Sequence, residues 1–142
     1  MKWFKKKRII VPFDFSDDSM RAVRVGMALA EKKEDIHLVH VLHELPAGEE
    51  DYYWNPSKNA QRKTETTTAI KDKLTTADIQ DIKVDVLVGD PAKEIVSLAN
   101  KIETDLIVIP SHGYTGLKKM LLGSVAQGVV RHAKCPVLVL KD

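Results

Sequence analysis

Short, β-branched apolar runs alternate along the whole chain with longer segments of helical spacing, and this alternation restricts the fold more than any other feature. The runs are Ile9-Ile10-Val11-Pro12-Phe13, then residues 36–42, 84–88, 106–109 and 137–140. Most are continuous rather than strictly alternating, as in strands covered on both faces. Between them, residues 17–32 set Met20, Val23, Met27 and Ala30 on one stripe. Residues 92–102 do the same with Ile95, Leu98 and Ala99, and residues 124–134 with Val125, Val129 and Ala133. The segment 58–77 is poorer, because Ala60, Ile70, Leu74 and Ala77 are sparse and its threonines lower helix propensity. It is read as a helix because its flanking strands need a crossover. The order β-α-β-α-β-α-β-α-β predicts an α/β fold, a five-stranded parallel sheet sandwiched by helices and wound right-handedly.

A length of 142 residues fits one domain, 1–142, with a core large enough to need no covalent staple. The lone Cys135 excludes an internal disulfide framework and a four-thiolate zinc site. No apolar run approaches the roughly 18–20 residues of a membrane span. The apolar run after the basic start is too short for a signal-peptide core. A soluble, reduced, cytoplasmic protein with no membrane partner is therefore expected. Charge is uneven: residues 1–8 carry five basic groups and no acid, and residues 106–141 also carry five basic groups and no acid. A long stretch without a carboxylate is a candidate for meeting an anion, and equally a consequence of a buried C-terminal unit. The Lys5-Lys6-Lys7-Arg8 run lacks the aromatic platform or groove-reading helix of a nucleic-acid binder.

Helix starts separate into two kinds. Ser16 precedes Asp17 and Asp18, so the first helix is capped and its positive end is already met by carboxylates. Asp90-Pro91 is a cap followed by a proline at the first helical position. The last helix begins Gly123-Ser124-Val125 with no acid, which leaves its amides open to an external anion. In open parallel sheets ligands sit beyond the carboxyl ends of strands, where the winding reverses. The first strand ends at Asp14, and the fourth ends in Pro110-Ser111-His112-Gly113. If those strands are neighbours, Asp14 and the glycine loop face one crevice. A carboxylate there accepts from ribose hydroxyls, while Gly113, Gly123 and Ser124 suit phosphates. Neither a P-loop nor a Gly-x-Gly-x-x-Gly fingerprint is present.

The run from Ser111 through Val125, followed by Val130-Arg131-His132-Ala133-Lys134-Cys135-Pro136-Val137, closely resembles the universal stress protein family. The opening Ile9-Ile10-Val11-Pro12-Phe13-Asp14-Phe15-Ser16 and the segment Gly89-Asp90-Pro91-Ala92 resemble it too. The resemblance implies a Rossmann-like sheet of strand order 3-2-1-4-5, a homodimer formed through Val137–Leu140, and a division into ATP-binding and non-binding branches. The binding branch is marked by Gly-x2-Gly-x9-Gly-Ser/Thr. Here Gly113, Gly123 and Ser124 fit, while Pro110 stands at the first glycine. Carried over residue by residue, Asp14 with Pro12 and Phe13 meets the nucleoside, and the Val41 backbone reads adenine. Ile109 and Pro110 line the ribose, and Gly113, Gly123, Ser124 and Val125 surround the phosphates. ATP is the implied ligand, with Mg²⁺ held by the nucleotide's own oxygens.

Simpler readings stand beside each residue. Asp14 also suits a turn before the first helix, and Ser124 suits a plain N-cap. His112 reads as a loop imidazole satisfied by backbone, and Lys118 and Lys119 as a solvated face. His37, His40 and His43 do not share a strand face, so no metal site is expected. Tyr52, Tyr53 and Trp54 either lid the crevice or pack on protein. Val137–Leu140 is expected at a sheet edge, where pairing with its twin would cover it. The functional expectation is a homodimeric ATP-binding stress-response switch with at most weak ATPase or autophosphorylating activity. The alternatives are a same-fold interaction protein without nucleotide and a slow ATP hydrolase.

Overall fold

The computed structural model describes residues 6–44, 56–112 and 122–141. In chain order these form β1 (Ile9–Pro12), α1 (Asp17–Leu29), a 3-10 turn (Lys33–Asp35), β2 (Ile36–Leu42) and α2 (Pro56–Thr76). Then follow β3 (Lys83–Val88), α3 (Pro91–Lys101), β4 (Leu106–Pro110), α4 (Ser124–His132) and β5 (Val137–Leu140). The strands make one parallel sheet ordered β3-β2-β1-β4-β5, the order expected. The chain starts at the centre, winds out to β3, and returns to β4, so the winding reverses between β1 and β4.

Strand period two divides the core between the two faces of the sheet. Ile9, Val11, Leu38 and Val108 pack with Val23 of α1 and with Ile70 and Leu74 of α2. Ile10, Val39, Ile107 and Ile109 pack on the other side with Ile95 and Ala99 of α3 and with Ala126 and Val129 of α4. Burying each such side chain contributes about 1.5–3 kcal/mol. That explains why β1 and β4 are apolar without interruption: both are buried along their whole length. The sparse stripe of α2 suffices because Ile70 and Leu74 do reach the core. Its threonines are accommodated by bonding back along the helix, as Thr64 Oγ1 does to the Ala60 carbonyl at 2.9 Å.

The helix starts behave as local chemistry dictates. Ser16 Oγ accepts from the Ser19 N–H at 3.1 Å, and Asp90 Oδ1 from the Lys93 N–H at 3.0 Å. Two helix ends come earlier than the apolar stripes indicate. α1 stops at Leu29 rather than residue 32, because the strand-leading segment intervenes. Lys6 N–H donates to the Leu29 carbonyl at 2.9 Å, and the Lys6 carbonyl accepts from Glu31 N–H at 3.0 Å. α4 stops at His132 rather than residue 134, since Ala133 is already extended toward β5. α3 and α4 approach closely at Gly128, where a Cβ would stand 2.6 Å from the Ala92 Cβ.

Candidate functional site

The seam between β1 and β4 opens for a chemical reason. The strands pair at Ile9↔Leu106 and Ile10↔Ile107 and no further. Phe13 N–H turns toward β2 and donates to the Val39 carbonyl at 2.8 Å, so Pro12 turns its backbone toward β4. Ser111 N–H turns toward β5 and donates to the Leu140 carbonyl at 2.9 Å, so Pro110 turns toward β1. The next rungs would need an N–H from each proline, and proline has none. The strands therefore part at the point where the winding reverses, where such sheets take their ligands.

A cavity of about 600 Å³ occupies this opening, within the roughly 300–1,000 Å³ of small-molecule sites. Pro12, Phe13, Asp14, Val41, Ile109, Pro110, Gly123, Ser124 and Val125 all line it. Of the residues singled out in the sequence, Gly113 lies outside the described residues, as do Tyr52, Tyr53, Trp54, Lys118 and Lys119.

The ends of β1 and β2 present a polar edge. Leu42 gives its carbonyl to Gly89 N–H at 2.9 Å on the β3 side. Its neighbour Val41 therefore turns its backbone toward β1, beyond the last β1–β2 pair at Pro12↔Val39. There the Val41 N–H and C=O face the cavity rather than a strand. Asp14 serves the turn that was one of its two readings: its Oδ1 accepts from Ser16 N–H at 3.0 Å and from the Ser16 hydroxyl. It lines the cavity as well. Between them Phe15 takes the left-handed conformation, φ 66°, and Lys73 of α2 holds its carbonyl at 3.1 Å.

The start of α4 forms the opposite wall. It has no acid in its first turn and no side-chain cap. The cap position belongs to Gly123, which corrects the reading of Ser124 as an N-cap. Ser124 is the first helical residue and is exposed. Gly123's own N–H is committed to the Ser111 carbonyl at 2.7 Å. Ser124, Val125 and Ala126 line the cavity, and their N–H groups have no acceptor within the helix. By contrast α1 and α3 fill their starts with Ser16 and Asp90.

The structure adds a cation that the sequence reading passed over. Arg62 of α2 is the one permanent cation among the described lining residues. Its guanidinium donates to the His43 carbonyl at 3.1 Å and to Asn59 Oδ1 at 3.1 Å. No local pattern marks it, because only the packing of α2 over the end of β2 brings it there. His40 also lines the cavity. His112 is buried, and its Nδ1 lies 3.0 Å from Ser111 Oγ. His37 lies outside this cavity, with Nδ1 3.1 Å from Asp85 Oδ2. No group of three His, Cys, Asp or Glu among the described residues is arranged to hold a metal. No helix among them is long and apolar enough to cross a membrane.

An apolar floor of Val39, Ile95 and Ile109, the unpaired backbone edge at Val41, a carboxylate, a guanidinium and an open helix start share one cavity. That set suits a ligand with a flat ring, hydroxyls and an anionic tail. Residues 6–141 match the model of the Universal stress protein family. Universal stress protein MJ0531 of Methanocaldococcus jannaschii is 34% identical, over 95% of this chain and 82% of its own. The solved structure of MJ0577, from the same organism, superposes with a TM-score of 0.75 at 34% identity, covering 96% of each chain. A universal stress protein solved in complex with cAMP gives a TM-score of 0.58 at 27% identity, covering 95% of this chain and 96% of its own.

Proposed function

We propose that the chain, which belongs to the universal stress protein family, binds ATP as a homodimeric stress-response switch in the cytoplasm. The observation that carries this reading is the span of the cavity. It reaches from the unpaired Val41 backbone edge at the end of β2, past Asp14 at the end of β1, to the open start of α4 beyond β4. Val41 N–H and C=O match the acceptor and donor on the adenine edge. Asp14 suits the ribose hydroxyls, and the amides of Ser124, Val125 and Ala126 with Ser124 Oγ suit the phosphates. Mg²⁺ would ride on the nucleotide's oxygens. The relative in complex with cAMP adds support, since its ligand carries the same base and sugar with an anionic phosphate. Leu138 on the outermost strand and Val130 on α4 are exposed, at 38% and 48%, which supports pairing with a second copy.

One observation favours a rival. A glycine at position 110 would present an N–H toward the crevice, and Pro110 removes that donor. The rival is an interaction protein of the same fold that takes no nucleotide. Denaturing freshly purified protein and chromatographing the released small molecules separates the two. The expected result is an adenine nucleotide near one per chain, with a thermal shift in millimolar Mg·ATP. Absence of both results refutes ATP binding.

A further inference from the structure

The β1–β2 ladder stops one rung early, and a side chain stands where that rung would form. Phe13 N–H reaches the Val39 carbonyl at 2.8 Å. In a continuing parallel ladder the next bond would run from Val41 N–H to the Phe13 carbonyl. That carbonyl instead accepts from His40 Nδ1 at 2.7 Å, and β1 ends at Pro12. A carbonyl only accepts, so Nδ1 carries the proton. The imidazole is held from its other side by the Phe15 ring, with centroids 5.5 Å apart and planes at 71°. His40 thus grips both chain neighbours of Asp14, the backbone of Phe13 and the ring of Phe15.

We infer that His40 is the positioning residue of the nucleoside end of the cavity: by capping the Phe13 carbonyl it keeps the Val41 amide out of the sheet and open to a ligand, and it fixes the turn that carries Asp14. The identity of the ligand as an adenine nucleotide rests on the function proposed above; the release of Val41 does not. The alternative state is concrete. Without the imidazole donor, the Phe13 carbonyl is left unsatisfied in a half-buried place, and the neighbouring amide able to satisfy it is that of Val41. β1 and β2 would then zip by one rung and withdraw the donor that reads the base.

The test compares His40→Leu, which removes the donor, with His40→Asn, whose side-chain amide nitrogen can sit where Nδ1 does. Backbone amide exchange is followed by NMR on the ligand-free protein, and ATP affinity is measured on the same samples. Val41 N–H is expected to exchange freely in the natural protein and in His40→Asn. In His40→Leu its exchange should slow at least about tenfold as the rung forms. Affinity should fall about tenfold or more in His40→Leu and return toward the natural value in His40→Asn. Equal Val41 exchange in folded His40→Leu and natural protein overturns the inference. So does a protected Val41 in the natural protein before any ligand is added. If Val41 becomes protected in His40→Leu while no variant binds ATP, the positioning role stands and the nucleotide reading falls. Should His40→Leu fail to fold, the natural protein still decides: a nitrogen-resolved imidazole spectrum must show the proton on Nδ1, and a proton on Nε2 alone refutes the arrangement.

Discussion

Replacing Gly123 with aspartate should make the protein more stable and a worse nucleotide binder at once. Gly123 is the N-cap of α4 at φ −61° and ψ 157°, close to the geometry of Ser16, a side-chain cap, at −74° and 158°. An aspartate there fits the backbone without strain. Relative to glycine it improves the cap by a few tenths of a kcal/mol, and its charge at a helix start adds about 0.3–1 kcal/mol. The expected gain is about 0.5–1 kcal/mol, visible as an increased urea midpoint with unchanged slope. The same carboxylate takes up an amide proposed for phosphate and places like charge beside the tail. Losing one charge-assisted hydrogen bond costs about 1.5–3 kcal/mol, or roughly 10- to 150-fold in ATP affinity. Gly123→Asn is the control, since it caps without charge. Calorimetric titration should place it between the natural protein and Gly123→Asp, with the gap between the two variants shrinking in high salt. Unchanged affinity in folded Gly123→Asp refutes the phosphate role of the α4 start. Equal losses in both variants would mean that obstruction, rather than charge, governs the site.

Three further outcomes are expected. Gly128→Ala sets a helix-propensity gain of about 1 kcal/mol against overpacking of about 1–3 kcal/mol. With the new Cβ at 2.6 Å from Ala92 Cβ, net destabilisation in urea is expected, and Ala92→Gly in the same chain should relieve it. A more stable Gly128→Ala single variant would show that α3 and α4 are not in tight contact. Leu138→Lys charges an exposed position on the edge strand β5 and should convert the proposed dimer to a monomer in light scattering; a dimer in the natural protein that survives the change would place the interface elsewhere. Burial, aided by the charge of Asp105 and opposed by a backbone hydrogen bond, pushes the Cys135 thiol up. The folded state therefore favours the neutral thiol. Its contribution to stability is full below the ordinary thiol range and is lost as pH rises through the raised value. Iodoacetamide should label the folded protein at pH 8 more slowly than the urea-unfolded chain, and equal rates would refute the raised value.

Much of the fold was legible because its signals are local. The strand at 36–42, the caps at Ser16 and Asp90, and the acid-free start of α4 depend on neighbouring residues and backbone period. The misjudged helix ends are where distant chain intervenes, as when Lys6 takes the Leu29 carbonyl. Pro12 and Pro110 were visible as letters at two strand ends. Their opposition across one seam was not, because it depends on which side each backbone faces.

The amino-acid order by itself determined the alternation of strands and helices, the parallel sheet, and which helix start lacks a negative charge, since period and capping act over a few residues. Tertiary structure alone decided that Arg62 reaches the cavity and that His40 takes the carbonyl which Val41 would otherwise bond. Those contacts follow from strand register and helix docking between segments far apart in the chain, and no local pattern encodes the side to which a strand's unpaired amide will turn.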